Sequence, residues 1–548
     1  MFTATEPIER DLSTKIFGAL SSSRYSLMTL DTGSKEWIDT PWPEVAFLGQ
    51  GVADWLLAAD RDGDRSPIGI VGDPTMETIA IVCGVWGAGR PIAILPGPVR
   101  GTTEAAWAEV TMAKFAALGC AAVFAHDGVL SPLARFEAGP QVLALPTVRA
   151  WRATEVRLDQ SYSGQLPAVL QGTAGSTGTP KTAVLSRDSL LNHCIGLEGR
   201  LGGGVDSDIG CTWLPLYHDM GLTSLIVGLV YGGQTWLAPT SAFARSPFEW
   251  LRWLSMSRAT LTAAPNFAYN LLGRYARRVD DIDLSNMRYA INGGEPVDCD
   301  GLSRFCDEMA RFGFDARAVA PSYGLAEATC AVSAPHPMSG LTVDRIEIVE
   351  SGAARPLAAA ALGPALPGME IRVVPRAAGD LEVTGRDVGD IEIRGHTMMS
   401  GYRESAPIDP ADWFPTGDIG YLHEGQLYVC GRSKEMITIA GRNLFPQQVE
   451  NAVSEIPGVR AGGVVATVVA TGGGRSIRRP ELVVVAEFRG KDADQARSRI
   501  QQAVAAECGV VPSNVELVSP GALPRTTSGK LRRLEVGGWF ADRKVSVE

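Results

Sequence analysis

Short apolar runs separated by helix-length segments constrain this chain more than any other feature. Ile68-Gly-Ile-Val71, Thr78-Ile-Ala-Ile-Val-Cys83, Ala121-Ala-Val-Phe124 and Val142-Leu-Ala-Leu145 alternate with Gly- and Pro-bearing turns, and the pattern resumes at Gln234-Thr-Trp-Leu-Ala238 and Arg288-Tyr-Ala-Ile291. Runs this short and this apolar read as strands buried on both faces, as when helices cover a parallel sheet. The expected class is α/β with layered subdomains. From residue 389 the texture turns hairpin-like, with Asp390-Ile-Glu-Ile-Arg394 and Gly425-Gln-Leu-Tyr-Val-Cys430, so a β-rich subdomain is expected. Beyond Gly431 the strand runs 464–469 and 482–488 and a helical stretch over 494–507 form a compact α+β pattern. We therefore place an N-terminal domain at 1–431 and a small, mobile C-terminal domain at 432–548, which suits a chain of 548 residues, too long for one hydrophobic core.

A formal net charge of −11 argues against a nucleic-acid surface, which needs a clustered basic excess. The nine cysteines are scattered without metal-ligand spacing and read as small buried hydrophobes of a reducing compartment. The first twenty residues lack the basic start and apolar core of a signal peptide, and no integral membrane segment, about 20 apolar residues long, is expected. A cytoplasmic location follows as an expectation.

Residues 171–182 read Gln-Gly-Thr-Ala-Gly-Ser-Thr-Gly-Thr-Pro-Lys-Thr. Glycines let consecutive N–H groups converge on an anion, the hydroxyls add donors and Lys181 adds positive charge. ATP is the first ligand to consider. A Walker loop fits poorly, because Pro180 stands where that motif needs a glycine N–H. A plain Gly/Ser turn is the other reading, but the strand-like run 182–185 and the periodic segment from Leu190 make the loop a junction between ordered elements.

Further motifs agree with it: Tyr323-Gly-Leu-Ala-Glu327, Thr416-Gly-Asp418, Gly431-Arg-Ser-Lys-Glu435 and Pro524-Arg-Thr-Thr-Ser-Gly-Lys530. Together the five resemble the adenylate-forming superfamily of acyl-CoA synthetases, adenylation domains and luciferases. The resemblance implies ATP and Mg²⁺ as cofactors and assigns roles. Thr173, Ala174, Gly175, Ser176, Thr177, Gly178 and Lys181 would hold phosphates. Gly293, Gly294 and Glu295 would border adenine, with Ser322, Tyr323, Gly324 and Ala326 beside it and Tyr323 stacking on the base. Asp418 and Arg432 would hold the ribose, and Glu327 would ligate Mg²⁺. Lys434 would be the hinge, and Lys530 the catalytic lysine that stabilises charge at the α-phosphate. From the residues alone, Pro296 suits the first turn of a helix after the Gly-Gly turn.

The run Trp213-Leu-Pro-Leu-Tyr-His218-Asp-Met-Gly-Leu222 resembles the fatty acyl-AMP ligase branch, which passes fatty acids to acyl carrier proteins, and that resemblance would put His218 near the reacting carboxylate. The long stretch 328–362 resembles that branch's insertion, and Gly441-Arg-Asn443-Leu-Phe-Pro446 points the same way. The apolar helical segment 221–231 and Asn266-Phe-Ala-Tyr269 are candidate walls of an acyl tunnel. The resemblance thus implies a medium- or long-chain fatty acid, a carrier protein with a phosphopantetheine arm and, through mycobacterial siderophore-lipid ligases, siderophore biosynthesis. An acyl-CoA synthetase and a non-catalytic nucleotide-binding regulator are the alternatives. Ala174, Thr182 and Ala326 depart from the superfamily's usual Ser, Gly and Thr, which predicts weaker ATP binding by about 1 kcal/mol per lost hydrogen bond.

Overall fold

The computed structural model describes residues 11–59, 63–98, 103–136, 139–157, 162–173, 181–350, 353–376, 382–439, 442–471, 479–525, 531–533 and 535–539. Two seven-stranded sheets carry the large N-terminal part. One runs, edge to edge, through Val319–Pro321, Tyr289–Asn292, Leu261–Ala264, Ile209–Thr212, Gln234–Leu237, Ser26–Leu30 and Trp37–Pro41, parallel except for the last pair. The other runs through Gly401–Tyr402, Thr182–Ser186, Pro167–Gly172, Ile92–Ile94, Ile68–Val71, Ala122–Ala125 and Gln141–Ala144. Its first two pairings are antiparallel and the remainder parallel. The apolar runs at 68–71, 121–124, 142–145, 234–238 and 288–291 are strands within these sheets, as the alternation predicts.

The run at 78–83 is not. It lies inside the helix Met76–Gly87, whose residues from Glu77 onward are all buried. A helix enclosed on every side is apolar all round and loses the period that would mark it. The local signal was Thr75, whose side chain accepts from the Thr78 N–H as an N-cap. The helix after the Gly-Gly turn also starts later than Pro296 suggests, at Cys299, with Asp298 as its cap accepting from the Gly301 N–H.

A four-stranded antiparallel sheet, Met369–Pro375, Gly389–Gly395, Phe414–His423 and Gln426–Arg432, forms the β-rich part. The stretch 328–362 is a hairpin rather than an open connection. Val343–Glu350 pairs with Ala353–Ala360, and Ile346 and Ala359 pack with Ile419, Tyr421, Tyr428 and Phe445. The smaller C-terminal domain packs the helices Pro446–Ser454 and Ala493–Cys508 on the strands Val459–Thr471, Arg479–Phe488 and Asn514–Val518. All nine cysteines are buried thiols. Among the described residues no helix is long and apolar enough to cross a membrane.

Candidate functional site

The phosphate-loop motif sits on a hairpin. Its strands, Pro167–Gly172 and Thr182–Ser186, are antiparallel partners, and the neck is closed by Thr173, whose N–H and hydroxyl both donate to the Lys181 carbonyl at 2.9 and 3.2 Å. Ala174, Gly175, Ser176, Thr177 and Gly178 lie outside the described residues, as does Lys530. Buried Gln171 donates to the Tyr217 carbonyl at 2.8 Å, tying the hairpin to the turn that carries His218.

The second corner comes from the ends of parallel strands, where α/β sheets place their ligands. Ser322 N–H donates to the Asn292 carbonyl at 2.9 Å, so the Ser322-Tyr323 turn lies beside Gly293 and Gly294. The Glu295 carboxylate accepts from the Phe267 N–H at 3.1 Å, at the start of the helix Asn266–Arg274. Gly324 is required sterically, since a Cβ there would stand 1.9 Å from the Cys330 carbonyl oxygen. Tyr323 donates its hydroxyl to Asp418 Oδ2 at 2.6 Å, and Arg432 Nε donates to Asp418 Oδ1 at 3.1 Å. Burial, then the Asp418 carboxylate, hold the Tyr323 hydroxyl well above its ordinary pKa, so it remains a neutral donor. Each Asp418 oxygen still has a second lone pair. The Thr416-Gly417-Asp418 turn is set locally: Gly417 takes φ +77°, and Thr416 Oγ1 accepts from the Asp418 N–H at 3.1 Å.

Between these corners stands Glu327, on a one-turn 3₁₀ helix Ala326–Ala328. Thr329 follows at φ +68° and ψ −55°, with the Cys330 N–H bonded to the Ala328 carbonyl at 2.8 Å. This is the rare γ-turn of positive φ, a strained conformation for a β-branched residue. It is held by the Thr329 hydroxyl, which donates to the Thr397 carbonyl at 2.7 Å. Tyr402 donates its hydroxyl to Glu327 Oε1 at 2.8 Å, and Lys181 Nζ lies 4.5 Å from the centroid of the Tyr402 ring. Tyr402 was not among the residues expected from the sequence, because it reaches Glu327 and Lys181 through pairing of the strand Gly401–Tyr402 with the distant strand Thr182–Ser186.

His218 is the N-cap of the helix Asp219–Tyr231, with its ring centroid 5.3 Å from that of Tyr217. Val227 and Gly228 of that helix, Leu197 of the helix Arg187–Leu201 and Cys211 of the adjoining strand line one cavity of about 2450 Å³. His218, Lys181, Glu327, Tyr323, Asp418 and Arg432 line the same cavity, so the polar corners and the apolar wall share one space. Lys434 stands at its edge in the 3₁₀ turn Ser433–Glu435. Its neighbours are held by two arginines: Ser433 Oγ accepts from Arg376 at 3.2 Å, and Glu435 pairs with Arg533 at 2.9 Å.

Residues 42–403 match the AMP-binding enzyme family. This chain belongs to that family. It is 30% identical to the long-chain-fatty-acid–AMP ligase FadD26 of Mycobacterium tuberculosis, covering 93% of each chain. It is 31% identical to the medium-chain-fatty-acid–[acyl-carrier-protein] ligase JamA of Moorena producens over 67% of this chain and 66% of that protein. Among solved structures it superposes on a fatty acyl-adenylate ligase, from work on the enzymes of E. coli and L. pneumophila, with a TM-score of 0.84 at 25% identity, covering 97% and 98% of the two chains. These likenesses put it on the fatty acyl-AMP ligase branch of the adenylate-forming superfamily.

For an AMP-binding enzyme the residues around Glu327 fit a Mg²⁺ carried by nucleotide phosphates. Such an ion keeps several waters and takes one or two protein carboxylates. Among the described residues no cluster of three or more His, Cys, Asp or Glu side chains offers an all-protein cage, while Glu327 offers one carboxylate oriented by Tyr402.

Proposed function

We propose that this AMP-binding enzyme activates a medium- or long-chain fatty acid with Mg·ATP and passes the acyl group to the phosphopantetheine thiol of an acyl carrier protein in the cytoplasm. The carboxylate oxygen attacks the α-phosphorus, the bond to the bridging oxygen breaks, and pyrophosphate leaves. The thiolate then attacks the acyl carbonyl and AMP departs. Asp418 and Arg432 hold the ribose, and Gly293, Gly294, Glu295 and Tyr323 border the base with Ser322, Gly324 and Ala326. Thr173, Lys181 and residues 174–178 hold the phosphates, and Glu327 would hold Mg²⁺, which would supply positive charge against theirs. His218 faces the carboxylate. Lys530, brought in by the C-terminal domain as it turns about Lys434, stabilises charge on the α-phosphate, an interaction of about 3–4 kcal/mol by analogy with oxyanion donors.

The observation that carries this reading is the single cavity joining the Tyr323–Asp418–Arg432 corner to the apolar wall of the helix Asp219–Tyr231. FadD26 and JamA, a fatty acid–AMP ligase and a carrier-protein ligase by name, support it. A role in siderophore-lipid synthesis rests on the motif resemblance alone. The test is to supply ATP, Mg²⁺ and a ladder of fatty acids, add CoA or a phosphopantetheinylated carrier protein, and identify products by mass. Acyl-AMP and acyl-carrier are expected, with Lys530→Ala nearly abolishing adenylate while folding normally. Efficient acyl-CoA formation would make the chain an acyl-CoA synthetase, and absence of any adenylate would make it a binding protein.

A further inference from the structure

Resting on that reading of the cavity, we infer that Tyr402 is a positioning residue: its hydroxyl orients the Glu327 carboxylate while its ring face seats the Lys181 ammonium, keeping the two opposite charges on separate parts of one side chain. The distances are 2.8 Å from hydroxyl to Oε1 and 4.5 Å from Nζ to ring centroid. A cation on an aromatic face and a carboxylate on a phenol are both favourable contacts. Without such a spacer, Lys181 and Glu327 would be drawn to each other, and a direct ion pair would withhold both from phosphate and from the cation that accompanies it.

The backbone places Tyr402 for this role. Tyr402 pairs with Ala183 and Gly401 with Val184, and the Arg403 N–H donates to the Thr182 carbonyl at 2.9 Å. The ring is thus registered against the strand that begins one residue after Lys181. On its other side the same segment grips the Glu327 turn, since the Met399 N–H donates to the Glu327 carbonyl at 2.7 Å and Thr397 Oγ1 to the Ala328 carbonyl at 3.2 Å. Residues 397–403 therefore fix the distance between the lysine and the carboxylate, and Tyr402 is the side chain that touches both.

The experiment is equilibrium binding of ATP to the full-length enzyme by calorimetry, with and without Mg²⁺ and across a Mg²⁺ titration, for wild type, Tyr402→Phe, Tyr402→Leu, Glu327→Ala and Tyr402→Phe/Glu327→Ala. Tyr402→Phe keeps the ring and loses the hydroxyl. It is expected to melt within about 2 °C of wild type and to need about tenfold more Mg²⁺ at half-saturation, with little change in metal-free ATP binding. Tyr402→Leu should also weaken metal-free binding, because Lys181 loses its seat. The Mg²⁺ shift from Tyr402→Phe should vanish once Glu327 is alanine, as it must if the tyrosine acts through that carboxylate. An unchanged Mg²⁺ midpoint in Tyr402→Phe, or the same shift with Glu327 absent, would overturn the role of Tyr402 alone. Wild type that fails to bind ATP in any condition would overturn the parent reading as well.

Discussion

The nucleotide corner and the seat of the C-terminal domain both depend on charged side chains, but the two are held differently. At the corner, Asp418 and Arg432 are direct partners in the ladder between Phe414–His423 and Gln426–Arg432. Tyr323 sits in a strand paired to Ser333, so backbone register brings the triad together. The C-terminal domain is instead joined by side chains. Arg274 and Arg304 of the large domain reach Glu455 at 3.3 and 3.4 Å, and Arg533 holds Glu435 and Glu450 within the small one. Asp418, Arg432 and Tyr323 thus sit on hydrogen-bonded ladders. Where the domains meet, the charged contacts are side-chain pairs set beside the packing of Phe445 on Tyr421 and Tyr428.

The largest expected effect tests the corner. Asp418→Ala removes the acceptor for both the Tyr323 hydroxyl and the Arg432 guanidinium, leaving two donors at a site where Asp418 itself is only 5% exposed. Truncating one member of a buried hydrogen-bonded charge pair costs about 2–5 kcal/mol, and with Arg432 45% exposed along its side chain the lower half of that range applies, so ATP binding should weaken by about 3 kcal/mol, or roughly a hundredfold. Circular dichroism should remain native, because the ladder hydrogen bonds belong to the backbone. A variant that lost its fold would show that the side-chain triad, not the register, holds the corner.

Next comes Arg533, whose Nε and Nη2 clasp the two oxygens of Glu450 at 2.7 Å each while Nη1 reaches Glu435. Glu450 is 5% exposed and also accepts from the Ala466 N–H at 3.2 Å. Arg533→Ala would leave a buried carboxylate with its cation gone, a change of 3–5 kcal/mol when fully buried and about 2–3 here, given partial solvent access. Differential scanning calorimetry should show a lowered transition for the C-terminal domain with the large-domain transition in place. A joint shift of both would mean that the two regions unfold as one unit.

Much of this was legible in the chain. The alternating runs marked the strands because buried strands are apolar throughout, and the motifs at 323–327, 416–418 and 431–435 sit where short backbone turns carry polar chemistry. What escaped is instructive. The helix Met76–Gly87 is enclosed on every side and so resembles a strand run. Tyr402 meets Glu327 and Lys181 only through sheet pairing between segments far apart in sequence, and no local pattern encodes such a meeting. The stretch 328–362 reads as an insertion without showing its hairpin, Val343–Glu350 with Ala353–Ala360, because the second strand is rich in alanine, a poor strand former.

His193 probes a place near the Glu327 turn where a side chain, rather than a strand partner, bonds the backbone. Its Nε2 accepts from the Ala331 N–H at 2.9 Å, and burial depresses its pKa to about 4. The unfolded chain takes up this proton near pH 6.5 and the folded one only near 4, so stability rises with pH across that window and is lost as pH falls from 6.5 toward 4. Between pH 7 and pH 5 the loss should be about 2 kcal/mol. Denaturant unfolding at both pH values should show it in wild type and not in His193→Gln, and an equal loss in the variant would assign the effect to other groups.

The smallest effect belongs to the domain seat. Glu455 is 55% exposed along its side chain and its partners Arg274 and Arg304 are 21% and 38% exposed, so water screens both pairs. Exposed pairs of this kind contribute about 0–1 kcal/mol, and Arg274 keeps a second acceptor in the Ser454 carbonyl at 2.9 Å. Glu455→Ala should therefore change stability by about 0.5 kcal/mol, and adenylate formation should stay within about twofold, a difference too small to register as a change in barrier. Its signature is salt dependence: wild type and variant should converge at high ionic strength, where screening removes what the pair contributes. A loss above about 2 kcal/mol would exceed what screened pairs supply. The seat would then be as fixed as the nucleotide corner, and the contrast between ladder-built and charge-built regions would fail at the junction where it matters most.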